Sequence, residues 1–236
     1  MNCSYFDLFR NHNGFILTEE SGRTKNRLFR KFSRIMRLDS IESIKYRDIY
    51  DDDKINQLIK TSYDFNQFFK LPSILIKTNA WFYTADHGRF MMPAPADEIE
   101  QRVEDIAAKY PENTIGIHIR RGDHRQAKKM STNDLFNEII EREIMLDNST
   151  HFFLSTDSKE TEEMILNSYP GLIFVQNNKS FDRSTTENAK DAFVDLLCLS
   201  RAKKIYGSYN SSFSGIASSI SGSEMIIVEP GMFNRN

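Results

Sequence analysis

The stretch "TIGIHIRRGDH", residues 114–124, sets two adjacent arginines, an aspartate and a histidine directly after the alternation Ile115, Ile117, Ile119. That period and those β-branched residues predict a strand, so His118 and Arg120 share the face opposite the isoleucines. After Arg120 the chain leaves the sheet, and Gly122 lets it turn without steric cost. Arg120 and Arg121 are then fixed positive charges at the carboxyl end of a strand, with Asp123 and His124 beside them as acid–base candidates. A guanidinium forks onto phosphate oxygens, each charge-assisted bond contributing about 1.5–3 kcal/mol, whereas Lys offers charge without the fork.

Two other segments bring polar groups to a similar position. In "STDS", after the run "HFFL", Asp157 is an acceptor suited to a base N–H or a sugar hydroxyl. "GSYNSSFS", after "KIY", enters a helix at Ser211 or Ser212, where free backbone N–H groups and two hydroxyls favour phosphate. Ligands of open parallel sheets bind outside the carboxyl ends of the strands, so the three loops should face one crevice. Together they describe a nucleotide diphosphate pocket. Alternatives stay open at single residues: His118 as ligand or as a structural lock on the loop, Asp157 as ligand or as a helix cap, and Phe213 as pocket wall or core.

The elements that must position these residues follow one another regularly from about Ala96. "PADEIEQRVEDIAAKYP" predicts a helix with Ile99, Val103, Ile106 and Ala107 on one face. "STNDLFNEIIEREIML" predicts another, opened by a Ser131-x-x-Asp134 capping box and aligning Leu135, Ile139 and Leu146. The strand "HFFLS", the helix "SKETEEMILNSYPG", the strand "LIFV" and the helix "NAKDAFVDLLCLSRAK" come next, and "KIYGS" and "EMIIV" flank a short helix of small residues. Strands alternating with helices predict an α/β fold: a Rossmann-like parallel sheet flanked by helices over residues 96–236. Residues 1–95 form a reduced N-terminal region, divided from it near "MMPAPAD". There "TKNRLFRKFSRIMRL", residues 24–38, predicts a basic amphipathic helix, "DDDKINQLIKTSYDFNQFF" a second helix, and "SILIKT" a strand.

A net charge of −2 gives no global pull toward nucleic acid or membrane, so any anion site must be local. Cys3 and Cys198 make neither a disulfide framework nor a metal cluster, and His12, His87 and His151 have no metal-ligand spacing. With no long apolar run and no basic-then-apolar N-terminus, a cytoplasmic protein is expected.

His118-x-Arg120-Arg121-x-Asp123, then "FFLSTD", then "DLLCLSRAKKIYGSYNSSFSGIA", resembles the three-motif signature of the fucosyltransferase superfamily, which contains α1,2-, α1,6- and protein O-fucosyltransferases. "HIRRGD" and "NSSFS" are similar to the α1,2 branch, and "FLSTD" is closer to the α1,6 branch. The resemblance covers residues 96–228. It implies a GT-B-like architecture, GDP-fucose as donor, a glycan acceptor, inversion at the anomeric carbon, and no metal or other cofactor. By position, Arg120 corresponds to the arginine on the β-phosphate and Asp157 to an aspartate that contacts guanine. Ser212 and Phe213 match residues near the phosphates and sugar. His118, Arg121 and Ser211 complete the expected donor set, and Arg120, Asp123 and His124 the expected catalytic set.

Two departures stand out. The glycine-rich turn of the α1,2 branch has no counterpart before residue 96, and where α1,6 relatives carry a glutamate this chain has "HRQAKKM". They motivate an alternative, a non-catalytic nucleotide-sugar-binding or interaction module. The basic helix suggests two more roles, peripheral contact with an anionic membrane or nucleic-acid binding, against the plainer one of a solvated face. Trp81 and Tyr83 stack on a sugar or fill the core.

Overall fold

The computed structural model describes residues 3, 7–10, 47–71, 74–78, 93–182 and 184–234. The basic helix expected over 24–38, together with Trp81 and Tyr83, lies outside them. The chain divides into two compact units, Ile16–Arg89 and the combination of Met1–Phe15 with Phe90–Asn236.

In the smaller unit β1 (Asp48–Asp51) pairs in parallel with β2 (Ile74–Lys77). The helix α1 (Asp52–Lys60) starts where the Asp51 carboxylate accepts from Lys54 N at 3.0 Å. Acidic Asp52 and Asp53 in its first turn and Lys60 in its last suit the helix dipole. The single helix expected over residues 51–69 is broken. Ser62 takes a left-handed φ of 53°, and Asp64 caps a separate 3-10 turn, Phe65–Lys70, by accepting from Asn66 N. Local Asp and Ser chemistry overrides the apolar period there.

The larger unit runs α2 (Asp97–Ala107), β3 (Thr114–Ile119), α3 (Arg125–Met130), α4 (Asn133–Leu146), β4 (His151–Thr156), α5 (Lys159–Ser168), β5 (Ile173–Phe174), α6 (Thr186–Ser200), β6 (Lys204–Ser208), α7 (Ser212–Ser221) and β7 (Glu224–Val228). All five strands are parallel in the order β5-β4-β3-β6-β7, the Rossmann-like sheet that the alternation predicts. Ile115, Ile117 and Ile119 pack with Phe152 and Leu154 against Phe136, Ile139 and Ile140 of α4 and Ile165 of α5. On the opposite face Phe153 and Ile205 meet Ile99 and Val103 of α2, Phe193, Val194 and Leu197 of α6, and Ala217 of α7. Burial of these two apolar faces is what holds the helices to the sheet.

Two expectations about α4 are corrected. Its cap is Thr132, whose hydroxyl accepts from Leu135 N, while Ser131 is buried, donating to Val228 O and accepting from Tyr209 N at 2.7 Å. Its inward residues are Phe136, Ile139, Ile140 and Glu143, leaving Leu146 73% exposed. Glu143 turns inward because Tyr206 Oη and Lys204 Nζ both donate to it.

Candidate functional site

Chain order makes β3 the hinge of the sheet: β4 and β5 build outward on one side, β6 and β7 on the other. The crevice at such a reversal, outside the carboxyl ends of the strands, is the preferred ligand position of this fold. The end of β3 is clipped to both neighbours. Arg120 N donates to Ser208 Oγ at 2.9 Å, Ser208 Oγ donates to His118 O, and Thr156 Oγ1 donates to Ile119 O at 2.7 Å.

The loop that follows is wrapped around one carboxylate. Asp157 accepts from Arg121 N at 2.6 Å and from Gly122 N at 3.0 Å, and pairs with Arg120 Nη1 at 2.9 Å. Arg120 Nη2 donates to Asp123 at 2.8 Å, so its guanidinium is held from two sides. The helix after Asp157 is capped by Ser158, which accepts from Thr161 N, so Asp157 is not that cap.

The two arginines diverge. Arg120 faces a cavity of about 100 Å³ that also takes in His118, Asp157, Lys179, Asp195 and Phe213. Arg121 turns to the other side of the loop, where Nε and Nη2 donate to Asn133 Oδ1, Nη1 donates to Arg120 O at 2.9 Å, and the guanidinium lies over Phe136.

Within the cavity His118 is 4% exposed and stacked on Phe213, with ring centroids 4.7 Å apart. Burial holds its pKa down at about 3, with the Arg120 and Arg121 charges adding to this, so the ring is neutral. Its Nδ1 is buried without a hydrogen-bond partner. Asp195, also 4% exposed, accepts from Ser155 Oγ at 3.2 Å and Lys179 Nζ at 3.3 Å through Oδ2, while Oδ1 is unpartnered. Burial pushes its carboxyl pKa up to about 6. Burial works against the charge on Lys179, but Asp195 and Glu162 on either side raise its pKa. Asp191 fastens the adjoining loop, accepting from Ser180 N at 2.7 Å and Gln176 Nε2 at 2.9 Å.

Lys179, Asp191 and Asp195 escape the sequence reading. The available signal is Asn188, Asp191 and Asp195 at i, i+3 and i+7 along α6, a polar stripe that carries aspartate into the apolar second half of the helix. Among the described residues lining this cavity, His118 Nδ1 and Asp195 Oδ1 are buried atoms that the protein itself does not pair, which leaves their hydrogen-bonding capacity to water or a ligand.

The remaining expected residues lie at its rim. The Asp123 carboxylate is 75% exposed. His124 caps α3, its Nδ1 accepting from Ala127 N at 3.0 Å, which puts the proton of the neutral ring on Nε2. Ser211 is the cap residue of α7 and makes no side-chain cap bond, Ser212 opens the helix, and the cavity reaches α7 at Phe213. Among the described residues no group of three or more His, Cys, Asp or Glu could hold a metal ion, and no helix is long and apolar enough to cross a membrane.

The chain matches no described protein family and no curated protein. Among solved structures it is similar to the NodZ α-1,6-fucosyltransferase soaked with GDP-fucose, with a TM-score of 0.50 and 17% identity over 80% of this chain and 65% of that one. POFUT1 in complex with GDP follows with a TM-score of 0.47 and 15% identity over 70% and 60%, and the fucosyltransferase NodZ from Bradyrhizobium with 0.40 and 18% over 52% and 42%. The chain spans less than two thirds of the length of each. At such identities the first likeness shows a shared fold.

Proposed function

We propose that this chain is a glycosyltransferase of the fucosyltransferase superfamily that moves fucose from GDP-fucose to a glycan hydroxyl with inversion. The observation that carries the reading is Arg120, locked by Asp157 at the switch-point edge of the sheet, beside a cavity holding an unpartnered buried carboxylate oxygen. The three sequence motifs converge on that edge, and the shared fold agrees with it.

In this reading the base enters the cavity between Phe213 and α6. The free Oδ1 of Asp195 accepts from the adjacent N–H donors of a guanine edge, and Asp157 acts by holding the loop. The diphosphate runs outward to Arg120 and the first turn of α7 at Ser211, Ser212 and Phe213, whose N–H groups favour negative charge. The acceptor hydroxyl attacks the anomeric carbon from the face opposite the phosphate. The bond from that carbon to the phosphate oxygen breaks, its electron pair leaves with GDP, and the hydroxyl proton passes to a base. Asp123 fits the last role better than His124, whose Nδ1 lone pair is spent on its cap. Charge grows on the departing diphosphate, so a fixed guanidinium stabilises the transition state more than the ground state. The acceptor side falls to residues 1–95, and the setting is the cytoplasm.

The test is release of GDP and formation of fucosylated product from GDP-fucose and a panel of glycans. Arg120→Ala should lower the rate about a hundred- to thousandfold, the usual loss for one preorganised donor. GDP binding by the wild type with no turnover on any glycan would instead support a nucleotide-sugar-binding module.

A further inference from the structure

We infer that Arg121, held by Asn133, is a positioning residue for Arg120 and does not itself bind phosphate; this rests on the donor reading above. All three nitrogens of its guanidinium are used inside the protein, Nε and Nη2 on Asn133 Oδ1 and Nη1 on the carbonyl oxygen of Arg120. Its backbone N–H is taken by Asp157. The peptide that joins the two arginines is therefore gripped at both polar ends, oxygen and N–H. That fixes the direction in which the Arg120 side chain leaves the backbone.

The two guanidiniums also belong to different cavities. Arg120 lies with His118 and Asp195, and Arg121 lies with Lys128, Asn133 and Ser158 on the far side of the loop. To reach the same phosphate Arg121 would have to break its side-chain bonds and leave the buried ring of Phe136. A lysine has one nitrogen and no planar fork, so it does not reproduce the three bonds that three guanidinium nitrogens make to Asn133 Oδ1 and the Arg120 carbonyl. Asn133 opens α4, so this contact seats the arginine loop on a helix that is itself packed on the sheet.

The experiment is a double-mutant cycle read by calorimetry with GDP and GMP, with thermal unfolding as the check that each variant is folded. Asn133→Ala should weaken GDP about tenfold, as for residues of one network, and leave GMP within about twofold, because GMP lacks the β-phosphate that Arg120 meets. In the Arg120→Ala background neither Asn133→Ala nor Arg121→Lys should cost anything more. Asn133→Asp keeps an acceptor for the guanidinium and should restore GDP affinity. A further loss on adding Arg121→Lys to Arg120→Ala would mean direct phosphate contact and overturn the inference. An equal loss of GDP and GMP in Asn133→Ala would overturn it as well, marking a merely structural contact. Failure of the wild type to bind either nucleotide defeats the donor reading, and the positioning role with it, and is seen before any variant is made.

Discussion

Gly207 of β6 couples the sheet to the candidate site through Ser214 of α7. A Cβ at this position would stand 2.2 Å from Ser214 Oγ and 2.6 Å from Ser214 Cβ. Ser214 is fully buried in the first turn of α7, so its hydroxyl can rotate but its Cβ goes only where the helix goes. Carbon atoms need about 3.5–4.0 Å, so Gly207→Ala must push α7 away from β6 by about 1 Å. Such overpacking costs about 1–3 kcal/mol. The same shift moves Phe213 off the His118 ring, and a displacement of this size in a positioned site lowers activity by up to about a hundredfold. Urea denaturation should show a lower midpoint with unchanged slope, and nucleotide affinity should fall in parallel. Adding Ser214→Gly removes both clashing atoms and should recover most of the loss, less about 1 kcal/mol for glycine in a helix. Ser214→Ala keeps the carbon contact and should recover little. The reasoning is refuted if Gly207→Ala is within about 0.5 kcal/mol of wild type, or if Ser214→Ala rescues as well as Ser214→Gly.

Other outcomes follow from the same geometry. Asp157→Asn replaces a carboxylate that accepts from Arg121 N and Gly122 N and pairs with Arg120 by a group carrying donors of its own, and should cost about 1–3 kcal/mol in denaturant titrations while weakening nucleotide binding; unchanged stability would remove Asp157 from the centre of the loop. Ser208→Ala strips the acceptor from Arg120 N and should destabilise the protein by about 1–3 kcal/mol, measured in the same way. Nucleotide affinity should fall as pH drops through about 6, where Asp195 takes up a proton. Stability moves the other way. The folded pKa lies above the unfolded 3.8, so this group's favourable contribution is full below that value and is lost as pH rises through about 6. Calorimetric titrations between about pH 5 and 8 on wild type and Asp195→Asn check this, and a flat wild-type profile would count against Asp195 as the acceptor.

The central sheet was legible because each of its strands is a short β-branched or aromatic run bounded by turn residues, and "TIGIHI" keeps a strict two-residue alternation. The start of α7 at Ser212 and its end at Gly222, with φ of 78°, were legible from serine and glycine chemistry. What escaped was decided by tertiary partners. Ser131 has the spelling of a cap but is claimed by Val228 O and Tyr209 N, and "HRQAKKM" became α3 because His124 caps it. The arginine pair looked like one double charge. Only the distant Asn133 and Phe136 reveal that Arg121 turns away, and no local pattern encodes that. Asp195 carried a readable signal, an aspartate at helix spacing from Asp191 and Asn188, yet its free oxygen and its cavity exist only once α6 is packed on the sheet.

The most direct test is isothermal calorimetry of GDP and GDP-fucose against UDP and ADP, on the wild type and on Arg120→Ala. The account predicts that the wild type binds the two guanine nucleotides selectively and that Arg120→Ala loses most of that affinity. Equal binding of all four nucleotides, no binding to a folded wild type, or undiminished binding to Arg120→Ala would contradict it.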